Sequence, residues 1–255
     1  MYLTNEQAKA KVLREKYNGA SSDAYAADCV RIDASEPWEY VLGHADFLDC
    51  KIDLSARPMV PREETAFWVR RVIEAWSFDS AQDKQLEWPI KALDLYAGSG
   101  NIGIALARHL PAAHVTFNEL DEKLLPQIAK SLALNGIDAS HTTLIAGDSL
   151  EKIEGTFDLI CANPPYVDPA SESEMDPEMR YEPHIAFFGS ADGMGHHREL
   201  IARGRDFLTH RGVLYGEFDM TQADEIKKLL AASDWRYEIW DDPYGHPGVM
   251  VLHAS

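Results

Sequence analysis

The run Asn163-Pro164-Pro165-Tyr166 constrains the fold of this chain more than any other feature. It directly follows the apolar segment 157–162, which is typical of a buried strand. Proline has no backbone N–H and a fixed φ, so two prolines in succession end the strand and leave nearby carbonyls free to accept other hydrogen bonds. The Asn163 side chain adds an acceptor and a donor, and Tyr166 adds a flat ring. This combination favours a site that grips a planar –NH2 group, although a tight turn without a ligand would use the same prolines.

A glycine-rich turn lies upstream of this run. Residues 91–96 read as a short buried strand, Gly98-Ser99-Gly100 follows, and residues 101–107 have helical apolar spacing. A strand, a glycine-rich turn and a helix N-terminus together form a site for a carboxylate or phosphate at the C-terminal edge of a parallel sheet. The dinucleotide pattern G-x-G-x-x-G is incomplete, because Tyr96 stands where its first glycine is expected. A plain loop between strand and helix is the alternative.

Two acidic residues end the next two predicted strands. Glu119 follows the strand 114–118, about 20 residues past the glycine turn, where a carboxylate can accept hydrogen bonds from both ribose hydroxyls. Its alternative role is as an N-cap or first-turn acid of a helix over 121–134. Asp148 follows the strand 143–146 and can accept a hydrogen bond from the exocyclic amine of an adenine. The alternative for Asp148 is an Asx-type turn.

The order of predicted elements indicates an α/β protein. From Ile90 onward strands and helices alternate, which favours a parallel sheet with right-handed crossovers, and a loop over 241–247 separates two final strands. Before Ile90 we expect a helix over 4–17 with a capping box of Thr4 and Gln7, and a linker or helical fragment over 20–36. A hairpin over 45–54, a helix over 63–76 and a polar connection over 77–87 complete this part. The predicted domains are a short helical region (1–36), a hairpin with a linker helix (37–76) and a catalytic domain (77–255).

Several of these segments, in this order, resemble a known family. The segment 94–100, Glu119, Asp148 and the run 163–166 are similar to the motif series of class I S-adenosylmethionine-dependent methyltransferases, in the branch that uses Asn-Pro-Pro-Tyr. The segments 37–47 and 60–65 and the stretch 181–193 resemble the HemK/PrmC family, the protein-glutamine methyltransferases of peptide-chain release factors. Glu217 and Gln222 stand where that family carries a Glu and a Gln in a later strand and helix.

The resemblance implies a class I methyltransferase fold, with a Rossmann-like, mostly parallel sheet and an antiparallel strand near its edge. It implies S-adenosyl-L-methionine as the cofactor and a glutamine in the Gly-Gly-Gln loop of a release factor as the substrate. The implied cofactor-binding residues are Asp94, Tyr96, Ala97, Gly98, Gly100, Glu119, Asp148, Ser149 and Asn163. The implied catalytic residues are Asn163, Pro164 and Tyr166, and the implied substrate-binding residues are those three with Pro165, Glu182 and Pro183.

The expected chemistry is positioning rather than strong base catalysis. The Asn163 carboxamide oxygen and the Pro164 carbonyl would each accept one N–H of the substrate amide, which turns the nitrogen lone pair toward the methyl group. Tyr166 would pack on the amide plane. We expect neither a metal nor a covalent intermediate.

The sequence departs from the family at three places. Tyr96 replaces a glycine of the first motif, and Ser190 stands where a second glycine is common. Only about 36 residues precede Pro37, where the family has a longer helical region that helps to dock the substrate protein. The last departure bears on substrate recognition more than on chemistry.

The charge of the chain bears on the choice of substrate. The formal net charge is −18, with 24 basic against 42 acidic residues, and this disfavours a nucleic-acid substrate without excluding a local basic face. An acidic surface suits a basic protein partner. Three alternatives remain: a glutamine of a ribosomal protein, an adenine amine of nucleic acid, and a non-catalytic cofactor-binding module.

The remaining features indicate a compact protein of the cytoplasm. No apolar run approaches the roughly 18 residues of a membrane span, and the first residues lack a basic-then-apolar signal pattern. The odd number of cysteines, Cys29, Cys50 and Cys161, without a C-x-x-C spacing, indicates reduced thiols. We expect a monomer.

Overall fold

The computed structural model describes residues 3–82 and 90–255. A two-stranded hairpin precedes a seven-stranded sheet. The strands are β1 (His44–Phe47), β2 (Cys50–Asp53), β3 (Lys91–Leu95), β4 (His114–Glu119), β5 (Thr142–Ala146), β6 (Phe157–Ala162), β7 (Leu208–Glu217), β8 (Arg236–Asp241) and β9 (Pro247–His253). The α-helices are α1 (Asn5–Tyr17), α2 (Asp23–Asp33), α3 (Trp38–Leu42), α4 (Glu63–Gln82), α5 (Asn101–His109), α6 (Leu125–Leu134), α7 (Gly195–Arg203) and α8 (Ala223–Ala231).

The seven-stranded sheet has the order β5-β4-β3-β6-β7-β9-β8. The five strands from β5 to β7 run parallel to their neighbours, whereas β9 is antiparallel to both β7 and β8. The predicted α/β fold, with a mostly parallel sheet and an antiparallel pair near one edge, is therefore confirmed.

The strand order determines where a ligand can bind. The chain builds β3, β4 and β5 outward in one direction and then returns to place β6 on the other side of β3. The loops that follow β3 and β6 therefore diverge, and they leave a crevice at the carboxyl ends of these strands. The residues that end β3, β4, β5 and β6 meet at this edge, and they are Leu95, Glu119, Ala146 and Ala162.

The two central strands are buried on both faces. Leu93 and Leu95 of β3 and Leu159 and Ile160 of β6 have no exposed surface. Near-continuous apolar strands of this kind are typical of a parallel sheet that is covered by helices on both sides. The crevice therefore lies at the ends of two strands that are buried in the core.

The glycine at Gly103 allows α5 to pack closely on the sheet. A Cβ atom added there would lie 2.3 Å from Cε1 of Phe117, a fully buried residue of β4. The close approach keeps the N-terminus of α5 directly beside the end of β3.

The N-terminal helices form a small apolar cluster of their own. Ala8 and Val12 of α1 pack with Ile32 of α2 and Val41 of α3. The predicted capping box is present, since the Thr4 hydroxyl accepts the Gln7 N–H and the Gln7 side chain accepts the Thr4 N–H. The stretch 20–36 contains α2, so of the two predictions for it the helical fragment is confirmed. The domain boundaries stay a prediction.

The hairpin attaches to the sheet through α6. The predicted hairpin is confirmed as β1 and β2, and the Asp53 N–H donates to Ser131 Oγ of α6 at 2.9 Å. The predicted helix over 121–134 begins as a 3-10 turn, Glu122–Leu124, before α6 starts at Leu125.

One prediction for this part was wrong. The polar connection expected from Ser77 does not begin there, because α4 continues to Gln82. The segment 77–82 contains no glycine or proline to stop the helix, and polarity alone does not end one. Residues 83–87 of that predicted connection lie outside the described residues.

Two further findings concern features predicted from composition. Cys29, Cys50 and Cys161 are free thiols. Within the ranges 3–82 and 90–255, the helices are all too short or too polar to cross a membrane.

The contact at Gly103 yields a stability prediction. Gly103→Ala should lower the free energy of unfolding, because overpacking a core costs about 1–3 kcal/mol and exceeds the about 1 kcal/mol that alanine gains in a helix. Gly248→Ala is the control, since an added Cβ there would meet Asp242 Cβ at an ordinary 3.4 Å. Urea unfolding of both variants measures the effect. An unfolding free energy of G103A equal to or above wild type would contradict this packing argument.

Candidate active site

Two cavities meet at the carboxyl edge of the sheet. The larger, here called the cofactor cavity, has a volume of about 310 Å³ and contains residues from the ends of four strands. Six predicted cofactor residues line it: Tyr96, Gly98, Glu119, Asp148, Ser149 and Asn163. The later loop adds Pro165, Pro183, Gly189 and His196. The structure therefore brings together groups that are spread over about 100 residues of the sequence.

The second cavity, here called the substrate cavity, has a volume of about 250 Å³. Asn163, Pro164, Tyr166 and Glu217 line it together with Arg62. Asn163 belongs to both cavities and so stands at their junction. Met59 and Ala186 also line both cavities, so the junction lies between these three residues.

The glycine turn brings the backbone close to the cofactor cavity. Tyr96, Gly98 and Gly100 have positive φ angles of 64°, 53° and 78°. Ala97 and Gly98 also line a small cavity of about 40 Å³ that reaches Asn163. Gly100 instead packs against Ile128, and it caps the N-terminus of α5. The first N–H groups of that helix favour an anion at this place.

Glu119 fixes the turn while it faces the cofactor cavity. Its Oε2 accepts the Gly98 N–H at 2.7 Å, and its Oε1 accepts the Asp121 N–H at 2.8 Å. Burial raises the pKa of this carboxyl, and the backbone N–H groups oppose that shift. Each carboxylate oxygen keeps a second acceptor position, so the local role and the predicted ribose role are compatible.

Asp148 and Ser149 form another part of the cofactor cavity. The Asp148 side chain is exposed at the rim, and in the described chain it accepts none of the local N–H bonds that an Asx turn requires. Ser149 is buried, and its hydroxyl donates to Glu199 Oε2 at 2.6 Å. Asp148 thus remains available to a ligand.

Tyr96 joins this wall to α7. Its hydroxyl lies 2.6 Å from Ser149 Oγ and 3.2 Å from His196 Nδ1, and its ring meets the His196 ring edge-on at 4.9 Å. Burial raises the pKa of the phenol, so Tyr96 stays neutral. The tyrosine therefore closes one side of the cavity, where a glycine would leave it open.

Asp94 lies behind the site. It is fully buried, its Oδ2 accepts the Gly103 N–H at 2.8 Å, and it lines neither large cavity. Burial raises its pKa well above the usual value. Asp94 would therefore influence cofactor binding only indirectly, through the shape of the glycine turn.

A buried carboxylate supports the substrate cavity. Glu217 Oε2 accepts the Thr65 hydroxyl at 2.8 Å and the Trp68 indole N–H at 2.7 Å, while Oε1 lies 3.4 Å from the Tyr166 hydroxyl. Thr65 Oγ1 in turn accepts the Asn163 side-chain N–H at 3.2 Å. Burial raises the pKa of Glu217, opposed by these donors. The elements α4, β6 and β7 are thereby joined at one point.

Glu182 lines neither the cofactor cavity nor the substrate cavity, and it instead fixes the segment around Val60 and Arg62. Its buried carboxylate accepts the Val60 N–H at 2.8 Å and pairs with Arg62 Nη2 at 2.5 Å. Burial raises the pKa of Glu182, and the Arg62 guanidinium opposes that shift. A substrate role for Glu182, as predicted, would be exerted through Arg62.

The loop after the run 163–166 is anchored from two sides. Gln222 Nε2 donates to the Tyr166 carbonyl at 2.9 Å and to the Gly193 carbonyl at 3.3 Å. A Cβ on Gly193 would lie 2.2 Å from the Tyr166 carbonyl oxygen, so this close approach requires glycine. Ser190 accepts the Gly195 N–H at 2.9 Å, beside the start of α7, which gives the hydroxyl at this position a structural use.

Four contributing residues were not assigned a role from the sequence. They are Thr65, Trp68, His196 and His197. Thr65 and Trp68 lie in a helix that reads as an ordinary amphipathic segment, and the adjacent histidines carry no spacing signal. The structure also contains, within the described ranges, no group of three or more His, Cys, Asp or Glu arranged to hold a metal ion.

Comparison with known proteins agrees with the fold. Residues 83–178 match the family described as Methyltransferase small domain. The release factor glutamine methyltransferase of Thermodesulfovibrio yellowstonii is 30% identical over 223 residues, covering 86% of this chain and 77% of that protein. The same-named protein of Bradyrhizobium diazoefficiens is 31% identical over 215 residues, 84% of this chain and 70% of that one. A solved methyltransferase from Pyrococcus furiosus, 15% identical, superposes with a TM-score of 0.56 over 89% of this chain and 97% of that one.

The fold, the glycine turn and the matching family define an S-adenosylmethionine-dependent methyltransferase. On the identity and coverage of these relatives, the chain belongs to the release factor glutamine methyltransferase family.

The described residues fit S-adenosylmethionine. The helix N-terminus of α5 suits its carboxylate, Glu119 offers acceptor positions to the ribose, and Asp148 has an unused carboxylate at the cavity rim. The junction at Asn163 would then lie beside the sulfonium methyl. These assignments of individual residues are proposals.

The ribose role of Glu119 can be tested by binding. Glu119→Ala should weaken cofactor affinity about tenfold to a hundredfold, because a hydrogen bond to a charged group contributes about 1.5–3 kcal/mol. Titration calorimetry with S-adenosylhomocysteine measures this, and Glu122→Ala, an exposed acid on the next turn, is the control. Unchanged affinity in a folded E119A protein would exclude the role.

Proposed function

We propose that this protein transfers a methyl group from S-adenosylmethionine to the side-chain amide nitrogen of a glutamine in the Gly-Gly-Gln loop of a peptide-chain release factor. The observation that carries the proposal is the place of Asn163, an amide at the junction of two cavities. The relatives of this protein that are named release factor glutamine methyltransferase support the choice of substrate.

The chemistry requires positioning, because an amide nitrogen is a poor nucleophile with its lone pair delocalised into the carbonyl. S-adenosylmethionine would supply the methyl group from its sulfonium: the N–C bond would form as the S–C bond breaks, S-adenosylhomocysteine would leave as the neutral thioether, and the methylated nitrogen would lose one proton to water. Two fixed acceptors would hold the two N–H bonds and turn the lone pair toward the methyl group. Alignment and aimed acceptors of this kind can lower a barrier by several kcal/mol.

Asn163 and Pro164 are placed to be these acceptors. In the described chain the Asn163 carboxamide oxygen has no hydrogen-bond partner, and no backbone N–H reaches the Pro164 carbonyl. Tyr166 lines the same cavity, where its ring can pack on a planar amide. We assign these three as catalytic, and Glu182 would act on the substrate site through Arg62. Pro165 and Pro183, which were predicted to bind the substrate, line the cofactor cavity instead.

The charges around the substrate cavity favour a neutral amide over a nucleic acid. Glu64, Glu217 and Asp219 line it together with one cation, Arg62, which is paired with Glu182. The negative charges of this cavity wall repel the phosphate groups of a nucleic acid. The adenine alternative is therefore not favoured, and neither is a non-catalytic module, because both cavities and their acceptors are formed. Only an experiment distinguishes a glutamine of a ribosomal protein from a glutamine of a release factor as the substrate.

The substrate assignment predicts a specific labelling pattern. Purified protein with methyl-labelled S-adenosylmethionine should label a release factor that carries its Gly-Gly-Gln loop, and it should not label the variant in which that glutamine is alanine. Peptide mass spectrometry locates the methyl group. A chain that binds cofactor but labels neither protein would refute the release-factor proposal, and label on both would place the methyl group on another residue.

The role of Asn163 predicts loss of turnover with retained binding. Asn163→Ala should lower kcat about 10²–10³-fold, which is the effect of removing one aimed polar group in a comparable site. Cofactor affinity should change little. Asn135→Ala is the control, because Asn135 bonds the hairpin and lies outside both cavities. Turnover of N163A near the wild-type rate would disprove the amide clamp.

The cellular setting follows from the proposed substrate, and the monomeric state is a separate inference. We infer that the protein works in the cytoplasm, where translation termination takes place, and as a monomer. Gel filtration with light scattering checks the second inference.

A further inference from the structure

The side chain of Thr65 lies between a buried carboxylate and the amide of Asn163. Thr65 is in the first turn of α4, is 2% exposed, and contacts Glu217 Oε2 at 2.8 Å and Asn163 Nδ2 at 3.2 Å. The three residues come from distant parts of the sequence, since Thr65 is 98 residues from Asn163 and 152 from Glu217. These contacts form a chain that reaches from the core to the junction of the cavities.

In this chain of hydrogen bonds, the chemistry of the groups determines which atom donates and which accepts. A hydroxyl has one proton to donate, whereas an indole N–H can only donate. The Trp68 N–H is directed at Glu217 Oε2 at 2.7 Å, and this contact makes Oε2 an acceptor. The Thr65 proton therefore points to the same oxygen, and the Thr65 lone pairs face Asn163. Only the –NH2 end of the Asn163 carboxamide can satisfy them.

The far end of the chain is held firmly. Glu217 is 6% exposed, its Oε1 accepts the Tyr166 hydroxyl, and its backbone carbonyl lies 2.9 Å from Nε2 of the fully buried His197. Rotation of this carboxylate would leave buried donors without partners, at a cost of about 1–3 kcal/mol for each. The direction of the chain is thus built into the core.

We propose that Thr65 and Glu217 are positioning residues that select which end of the Asn163 amide faces the substrate. Asn163 presents two chemically opposite ends of similar shape, and only its oxygen can accept an N–H from a substrate amide. The chain Trp68–Glu217–Thr65 engages the –NH2 end and turns the carboxamide oxygen toward the cavities. The proposal rests on the proposed methyl transfer to an amide, and it assigns residues that act through Asn163.

The kinetic test compares isosteric threonine variants. Thr65→Val keeps the shape but removes the acceptor for Asn163, and kcat should fall about tenfold or more while KM and cofactor affinity stay within about threefold. Thr65→Ser keeps the hydroxyl and should restore most of kcat. Thr116→Val is the matched control, because it removes a buried threonine hydroxyl that takes no part in the hydrogen bonds between Trp68, Glu217, Thr65 and Asn163. Equal kcat for T65V and wild type would overturn the proposal, and so would equal losses in T65V and T65S.

A second measurement needs neither turnover nor the release factor. In protein labelled with ¹⁵N-asparagine, the side-chain –NH2 signals of Asn163 are those missing from N163A. Their exchange with water should be about tenfold or more faster in T65V than in wild type, and unchanged in T65S and T116V. Unchanged exchange in folded T65V would overturn the proposal.

The two measurements separate failure of this proposal from failure of the proposed function. If wild type labels no release factor while the T65V exchange rate rises, the substrate assignment fails and the orientation of Asn163 stands. If wild type labels the loop and T65V keeps both kcat and slow exchange, the orientation proposal fails alone.

Discussion

The burial of β3 and β6 side by side is the constraint on which the site depends. Both strands are apolar on both faces, so they occupy the centre of the sheet, and the strand order reverses between them. The loops after both strands must diverge at that point. The glycine turn follows β3 and the run Asn163–Tyr166 follows β6, and the reversal therefore brings the predicted cofactor loop and the predicted catalytic loop to the same crevice. A sheet built outward in one direction would separate them.

Buried carboxyls around the crevice impose a second requirement on the structure. Asp94, Glu119, Glu182 and Glu217 are all buried, and burial raises the pKa of each. A buried carboxyl is tolerated only where donors surround it, and here these donors are backbone N–H groups, Arg62, Thr65 and Trp68. Each carboxyl consequently fixes one loop of the site. The hydrogen bonds from these donors offset part of the cost of burial, and through them the carboxyls help to hold Gly98, Val60 and Asn163 in place.

The sequence could predict the parts of the site that depend on local order. Strands, the glycine turn and the acids that end strands are readable because their residues are neighbours in the chain, and the parallel sheet then brings them together. Thr65, Trp68 and the adjacent histidines were not assigned because their roles depend on partners up to 152 residues away. The extension of α4 to Gln82 was missed for a different reason, since a polar segment without glycine or proline is compatible with either helix or loop.

The two cavities differ in how their chemistry is determined. On our proposal, the cofactor side uses backbone groups and strand-end acids, which the fold alone places, whereas the substrate side depends on the orientation of one amide. Asn163 can face the substrate with either end at nearly the same steric cost, so shape alone does not make it an acceptor. The direction must come from a group with a fixed proton, and the Trp68 indole is such a group because it can only donate. On our proposal, recognition of an uncharged –NH2 among acidic side chains depends on a donor that lies in the core.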